Sequence, residues 1–197
     1  MGWYYSLGIV FENENLLTDC KNKFPHILKL SNGNNVRIIT EISNVEDSDN
    51  LVFQILPYGL STDNLVNRNI LFTRPYFYEI RNFLYTQLFD LKVNFKIALF
   101  DLEAGDLLMQ NTVISDINEI GIDAFKFGYP NIFNIEGDVN ASSLSGNHPP
   151  EYYIPKRYLD GLILHKKEFE LIKDKSEFQL FKENYYWIPI KEFKLSN

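Results

Sequence analysis

Residues 93–103 read V-N-F-K-I-A-L-F-D-L-E, and no other stretch limits the fold as tightly. Val93, Phe95, Ile97 and Leu99 alternate with the polar Asn94 and Lys96, the period-two pattern of a strand with one wet face. From Ala98 the second face turns apolar too, through Phe100 and Leu102. A strand apolar on both faces belongs inside a sheet that is covered on both sides. The preceding stretch has a different period. Phe77, Ile80, Leu84 and Leu88 recur at helical spacing, with Thr73 placed to cap and Pro75 suited to a first turn. The pair predicts a helix over 77–88 packed on a central sheet that contains the strand 95–102.

Other elements follow from local pattern. W-Y-Y-S-L-G-I-V-F (3–11) is a strand, 15–23 a short amphipathic helix, and S-N-G-N-N (31–35) a turn opening the strand 36–42. V-E-D-S-D-N (45–50) is a polar loop before the strand L-V-F-Q-I-L (51–56), so the first part reads as a β-meander with a helical insertion. Met109, Val113, Ile117 and Ile120 favour helix over 106–120. Short strands are expected at 125–127 and 132–135, then an exposed small-residue loop at 137–151. The end of the chain reads strand (162–164), helix (166–173), strand (178–181) and Y-Y-W-I-P-I (185–190). Strands and helices mix without strict alternation. The expected class is therefore α+β, with a mostly antiparallel or mixed central sheet and a few packed helices. At 197 residues and 45% hydrophobic content, one domain over 1–197 accommodates this.

Composition removes several functions. No apolar run reaches the roughly 18–20 residues that span a bilayer, and the N-terminus has no basic region or small-residue cleavage site. No membrane association is expected. Cys20 is the single cysteine, which excludes an intrachain disulfide and a multi-thiolate zinc site and makes a reducing, cytoplasmic setting the default. Lys21 and Lys23 beside it are placed to lower its pKa, although a structural role suits a lone cysteine better. His26, His148 and His165 share no metal-binding spacing, and no phosphate-binding loop, nucleophile elbow or dinucleotide fingerprint occurs. No catalytic residue, metal or cofactor is expected.

One cluster resists that reading. In F-D-L-E-A-G-D (100–106), Asp101 and Glu103 would share a strand face, and a following turn would swing Asp106 toward them. Such carboxylates hold divalent cations in hydrolases. A metal-dependent hydrolase is thus the alternative, weakened by the lack of a recognisable base or further ligand. Charge counted by region points elsewhere. Residues 101–138 carry eight acids and one base, Lys126, a net charge equal to the −7 of the whole chain. A field of one sign repels nucleic acid and anionic membrane, and steers basic partners into encounter. The expected partner-binding residues are Asp101, Glu103, Asp106, Asp116, Glu119 and Asp123, with Tyr129 as an aromatic anchor.

K-R-Y-L-D-G-L-I-L-H-K-K-E-F-E-L-I (156–172), followed by F-Q-L-F-K-E-N-Y-Y-W-I-P-I (178–190), resembles a unit of bacterial immunity proteins. These neutralise polymorphic or contact-dependent toxins. In that unit a short apolar strand precedes a helix, and a second strand ends in an aromatic stretch. The resemblance implies a small cytoplasmic protein without enzymatic activity that binds one cognate toxin domain. It further implies an acidic surface that meets a basic domain such as a nuclease, the role that the segment from Asp101 onward matches. It assigns no individual residue. The abundance of Asn, Ile, Lys and Phe fits the A/T-rich genome of a bacterium.

Overall fold

A computed structural model of the chain describes residues 3–62, 76–122 and 159–190. The strands expected at 125–127 and 132–135, the loop at 137–151, Thr73 and Pro75 lie outside them. The described residues form, in order, β1 (Trp3–Phe11), α1 (Glu14–Lys21), β2 (Ile27–Lys29), β3 (Asn35–Asn44), β4 (Leu51–Pro57), β5 (Ser61–Thr62), α2 (Phe77–Asp90) and β6 (Ile97–Leu102). After these come α3 (Ala104–Met109), α4 (Val113–Ile120), β7 (Ile163–His165), α5 (Lys166–Glu170), β8 (Gln179–Lys182) and β9 (Tyr185–Trp187). The strands form one antiparallel sheet in the order β2-β3-β4-β1-β6-β7-β9-β8, with β5 paired to β1. The class is α+β, as the mixed pattern predicts.

β1 sits between β4 and β6, so that Leu7 lies opposite both Ile55 and Phe100. This corrects the expected meander, in which β1 would have been an outer neighbour of the next strand. The physical reason is burial on both faces. Tyr5, Leu7, Ile9 and Phe11 point into one apolar layer, while Val10 points into the other. A strand with two dry faces is driven to the centre of a sheet.

The first layer is closed by α1 and α2. Phe77, Ile80, Leu84 and Leu88 are all buried against the sheet, as their spacing requires. Cys20 of α1 lies in the same layer. α2 has no basic residue in its last turn. Lys182 of β8 supplies one, its Nζ donating to the carbonyls of Leu88 (2.8 Å), Leu91 (2.6 Å) and Phe89 (3.3 Å). Burial lowers the Lys182 pKa to about 8, which still leaves it charged at neutral pH and matched to the negative end of the helix dipole.

The second layer is formed by α3, α4 and α5 with Val10, Val52, Leu99 and Leu164 from the sheet. α3 lies directly on β1 because residue 8 is glycine. A Cβ there would stand 2.8 Å from Leu108 Cδ1 and 3.3 Å from the Ala104 backbone.

Phe95 departs from expectation. β6 begins only at Ile97, and Phe95 joins Ala98 and Phe100 in the α2 layer while Leu99 faces the other. The Tyr185 hydroxyl accepts from the Phe95 N–H (2.9 Å) and donates to the Phe95 carbonyl (3.2 Å). With both backbone groups satisfied by one side chain, Phe95 needs no strand neighbour, and its alternation with Ile97 breaks.

Candidate functional site

β6 delivers the acidic segment. Asp101 lies opposite Ser6 of β1 and is buried, 9% exposed, so it is not offered at the surface. The strand ends one residue later, because Glu103 adopts a left-handed conformation, φ 53°. That turn separates Asp101 from Glu103, which the alternation had placed on one face. Glu103 instead closes on the start of β1. Its N–H donates to the Tyr4 carbonyl (2.8 Å), and Oε1 accepts from the Tyr4 N–H (2.5 Å).

Asp106, in the first turn of α3, hydrogen-bonds the Glu103 side chain. Burial, then this bond and the charge of Asp106, push the Glu103 pKa up to about 7, against the opposing hydrogen bond from Tyr4. Two of the three carboxylates thus pair, and the third does not join them. Among the described residues, no group of three His, Cys, Asp or Glu side chains is placed to hold a metal ion. The pair can hold a proton near neutral pH, but it supplies two ligands at most.

Asn111, with φ 56°, breaks the segment between α3 and α4. Asp116 then lies half-exposed in the first turn of α4 and Glu119 exposed near its end. Asp123 and Tyr129 lie outside the described residues. Residues 101–122 contain five acids and no base.

The β3–β4 turn brings more acids to this layer, which the sequence reading missed. The Glu46 N–H donates to the carbonyl of Met109 at the end of α3 (2.8 Å), and Glu46, Asp47 and Asp49 are exposed. V-E-D-S-D-N has three acids and no base, a signal in itself. What the sequence could not show was that β4 pairs with β1 beneath α3, which carries the turn to the end of that helix.

Between this turn, the α3–α4 connection and α5 lies a cleft of about 170 Å³. Val10, Ile97, Leu108 and Ile114 give it apolar surface, and Asn50, Asn111, Lys96 and Glu168 give it polar edges. Its walls are tied. Glu46 joins the turn to α3, and the Asn118 side chain joins α4 to the end of α5. There Nδ2 donates to the Leu171 carbonyl (2.9 Å) and Oδ1 accepts from the Lys173 N–H (2.8 Å). Glu168 is 7% exposed, its Oε1 is 3.7 Å from Lys96 Nζ, and its Oε2 accepts no hydrogen bond. His165 Nδ1 stands 3.6 Å from Oε2 but already accepts the Lys167 N–H at the start of α5 (3.3 Å). A nitrogen accepting a hydrogen bond has no proton to give the carboxylate.

The remaining residues singled out in the sequence do not gather here. Cys20 is buried, and desolvation pushes its thiol up to about 12, so Lys21 and Lys23 do not activate it. His26 is exposed, and His148 lies outside the described residues. Tyr185 and Trp187 belong to the core. No helix among the described residues is long and apolar enough to cross a membrane. No protein-family model matches the sequence, and comparison with characterised proteins and with solved structures finds no similar chain.

Proposed function

We propose that the chain is an immunity protein, which binds a cognate bacterial toxin domain and neutralises it without catalysis. The partner this reading calls for is basic, a nuclease being the type its charge suits best, and the setting is the cytoplasm. One observation carries the reading: acidity is concentrated in a single layer. Asp106, Asp116 and Glu119 from α3 and α4 are joined there by Glu46, Asp47 and Asp49 of the β3–β4 turn. No base lies within 101–122, and although α5 in the same layer carries Lys166 and Lys167, the six acids give an approaching protein a predominantly negative field. The sheet beneath supports the role by holding them in place before encounter, which lowers the ordering cost of association.

The test reverses Glu46, Asp49, Asp116 and Glu119 together to Lys. All four project from turns or helix surfaces, so the variant should fold with an unchanged circular dichroism spectrum. Cells that express the toxin encoded beside the gene should lose protection. Protection retained at equal protein level would mean that the acidity serves only solvation.

A further inference from the structure

The cleft between the β3–β4 turn, the α3–α4 connection and α5 lies beside the acidic turn. It combines an apolar floor with a nine-tenths buried carboxylate whose Oε2 makes no hydrogen bond. We propose that this cleft is the anchor site of the basic partner and takes one arginine side chain, the methylene stem on Val10, Ile97, Leu108 and Ile114 and the guanidinium on Glu168. The proposal rests on the partner-binding reading above and names the place where binding is centred.

Three features favour arginine as the occupant. The volume, about 170 Å³, suits one long side chain and not a folded element. Exposed acids lie close by in the chain, since Glu46 and Asp49 are the neighbours of the cleft-lining Val45 and Asn50. Glu168 lacks a good donor: Lys96 stays at 3.7 Å, beyond hydrogen-bonding distance, and His165 spends Nδ1 on the helix start. A guanidinium offers five N–H groups in a planar fork, matched to a carboxylate as a single ammonium is not. Lys96 is 28% exposed along its side chain and can turn toward solvent when displaced. In free protein it is a competitor for the site.

The probe is n-butylguanidinium, titrated into the ¹⁵N-labelled full chain at low salt, with butyrate as the opposite-charge control. Saturable shifts should centre on the amides of Asn50, Lys96, Asn111, Ile114 and Glu168, and butyrate should produce none there. Glu168→Gln should weaken binding about tenfold or more, the loss expected for a charged hydrogen-bonded pair. Lys96→Met should strengthen it by removing the competing ammonium. Should Glu168→Gln fail to fold, Ile114→Trp fills the cleft and should abolish the shifts. The proposal is overturned if no cleft amide moves, if butyrate moves the same amides equally, or if a folded Glu168→Gln binds as the parent does. A silent titration beside lost protection on charge reversal would remove the anchor and leave the acidic-face reading standing. Binding in the cleft with protection unchanged by reversal would remove that reading instead.

Discussion

Glu103 holds a backbone conformation that costs a non-glycine residue roughly 1 kcal/mol or more. Its main chain and side chain both bond Tyr4, which fixes the turn and brings its carboxyl against Asp106. That arrangement has a pH signature. The folded-state pKa is about 7, above the ordinary carboxylate value it would have unfolded. Between those two values the native state binds more protons than the unfolded state, so stability falls as pH rises. The contribution is complete below the ordinary carboxylate pKa and is lost as pH passes through about 7. Glu103→Gln resembles the protonated form and should flatten the pH dependence of Tm between about pH 5 and about pH 8. Its relative gain should be largest at the alkaline end. Thermal melts of both proteins across that range check this, and parallel curves would show that the pair does not share a proton.

Among elements, the junction of α2, β6 and the turn before β7 is the most tightly specified. β6 and β7 pair through Ile97 and Ala98, and the same register carried further would set Phe100 opposite Gly161. The Tyr85 hydroxyl fills the gap, accepting from the Phe100 N–H (3.4 Å) and donating to the Gly161 carbonyl (3.0 Å). Gly161 has φ 94°, and a Cβ there would fall 2.0 Å from that hydroxyl. Tyr85→Phe leaves two buried backbone groups unpaired and should cost about 1–3 kcal/mol in urea unfolding. Gly161→Ala should cost more in the parent than in the Tyr85→Phe background, where the colliding oxygen is gone. Equal penalties in both backgrounds would refute the wedge. None of this was legible in the sequence, where Tyr85 is one aromatic among many. The helix carrying it was legible, since Phe77 to Leu88 form a stripe whose period survives any tertiary setting. So was the two-sided character of β6. Its start was misplaced because a side chain from the end of the chain took over the backbone groups of Phe95. The acidic site was half legible for the same reason. Runs of like charge can be counted, but the left-handed turn at Glu103 and the pairing that brings residues 45–50 to α3 are products of the assembled sheet.

At the scale of the whole molecule, the acidic layer sets function against stability. Charge of one sign gathered on one side of a small protein repels itself, and the folded state holds those charges closer than the unfolded chain does. Position sharpens the conflict at Glu119, an acid in the last turn of α4, whose end has no base to offset the helix dipole. Asp47 is held at φ 50°, which asparagine tolerates as well as aspartate. Each acid is expected to oppose the fold slightly. Glu119→Gln and Asp47→Asn together should therefore stabilise the free protein by a few tenths of a kcal/mol each, raising Tm by about 1–4 °C at low salt. The gain should shrink as salt is raised toward about 1 M, where the Debye length is only about 3 Å. If the layer is a docking face, the same variant should bind its partner more slowly while dissociation changes less. Calorimetric melts at low and high salt test the first half. A double variant less stable than the parent would mean that these acids make contacts that hold the fold, and that their clustering needs no partner to account for it.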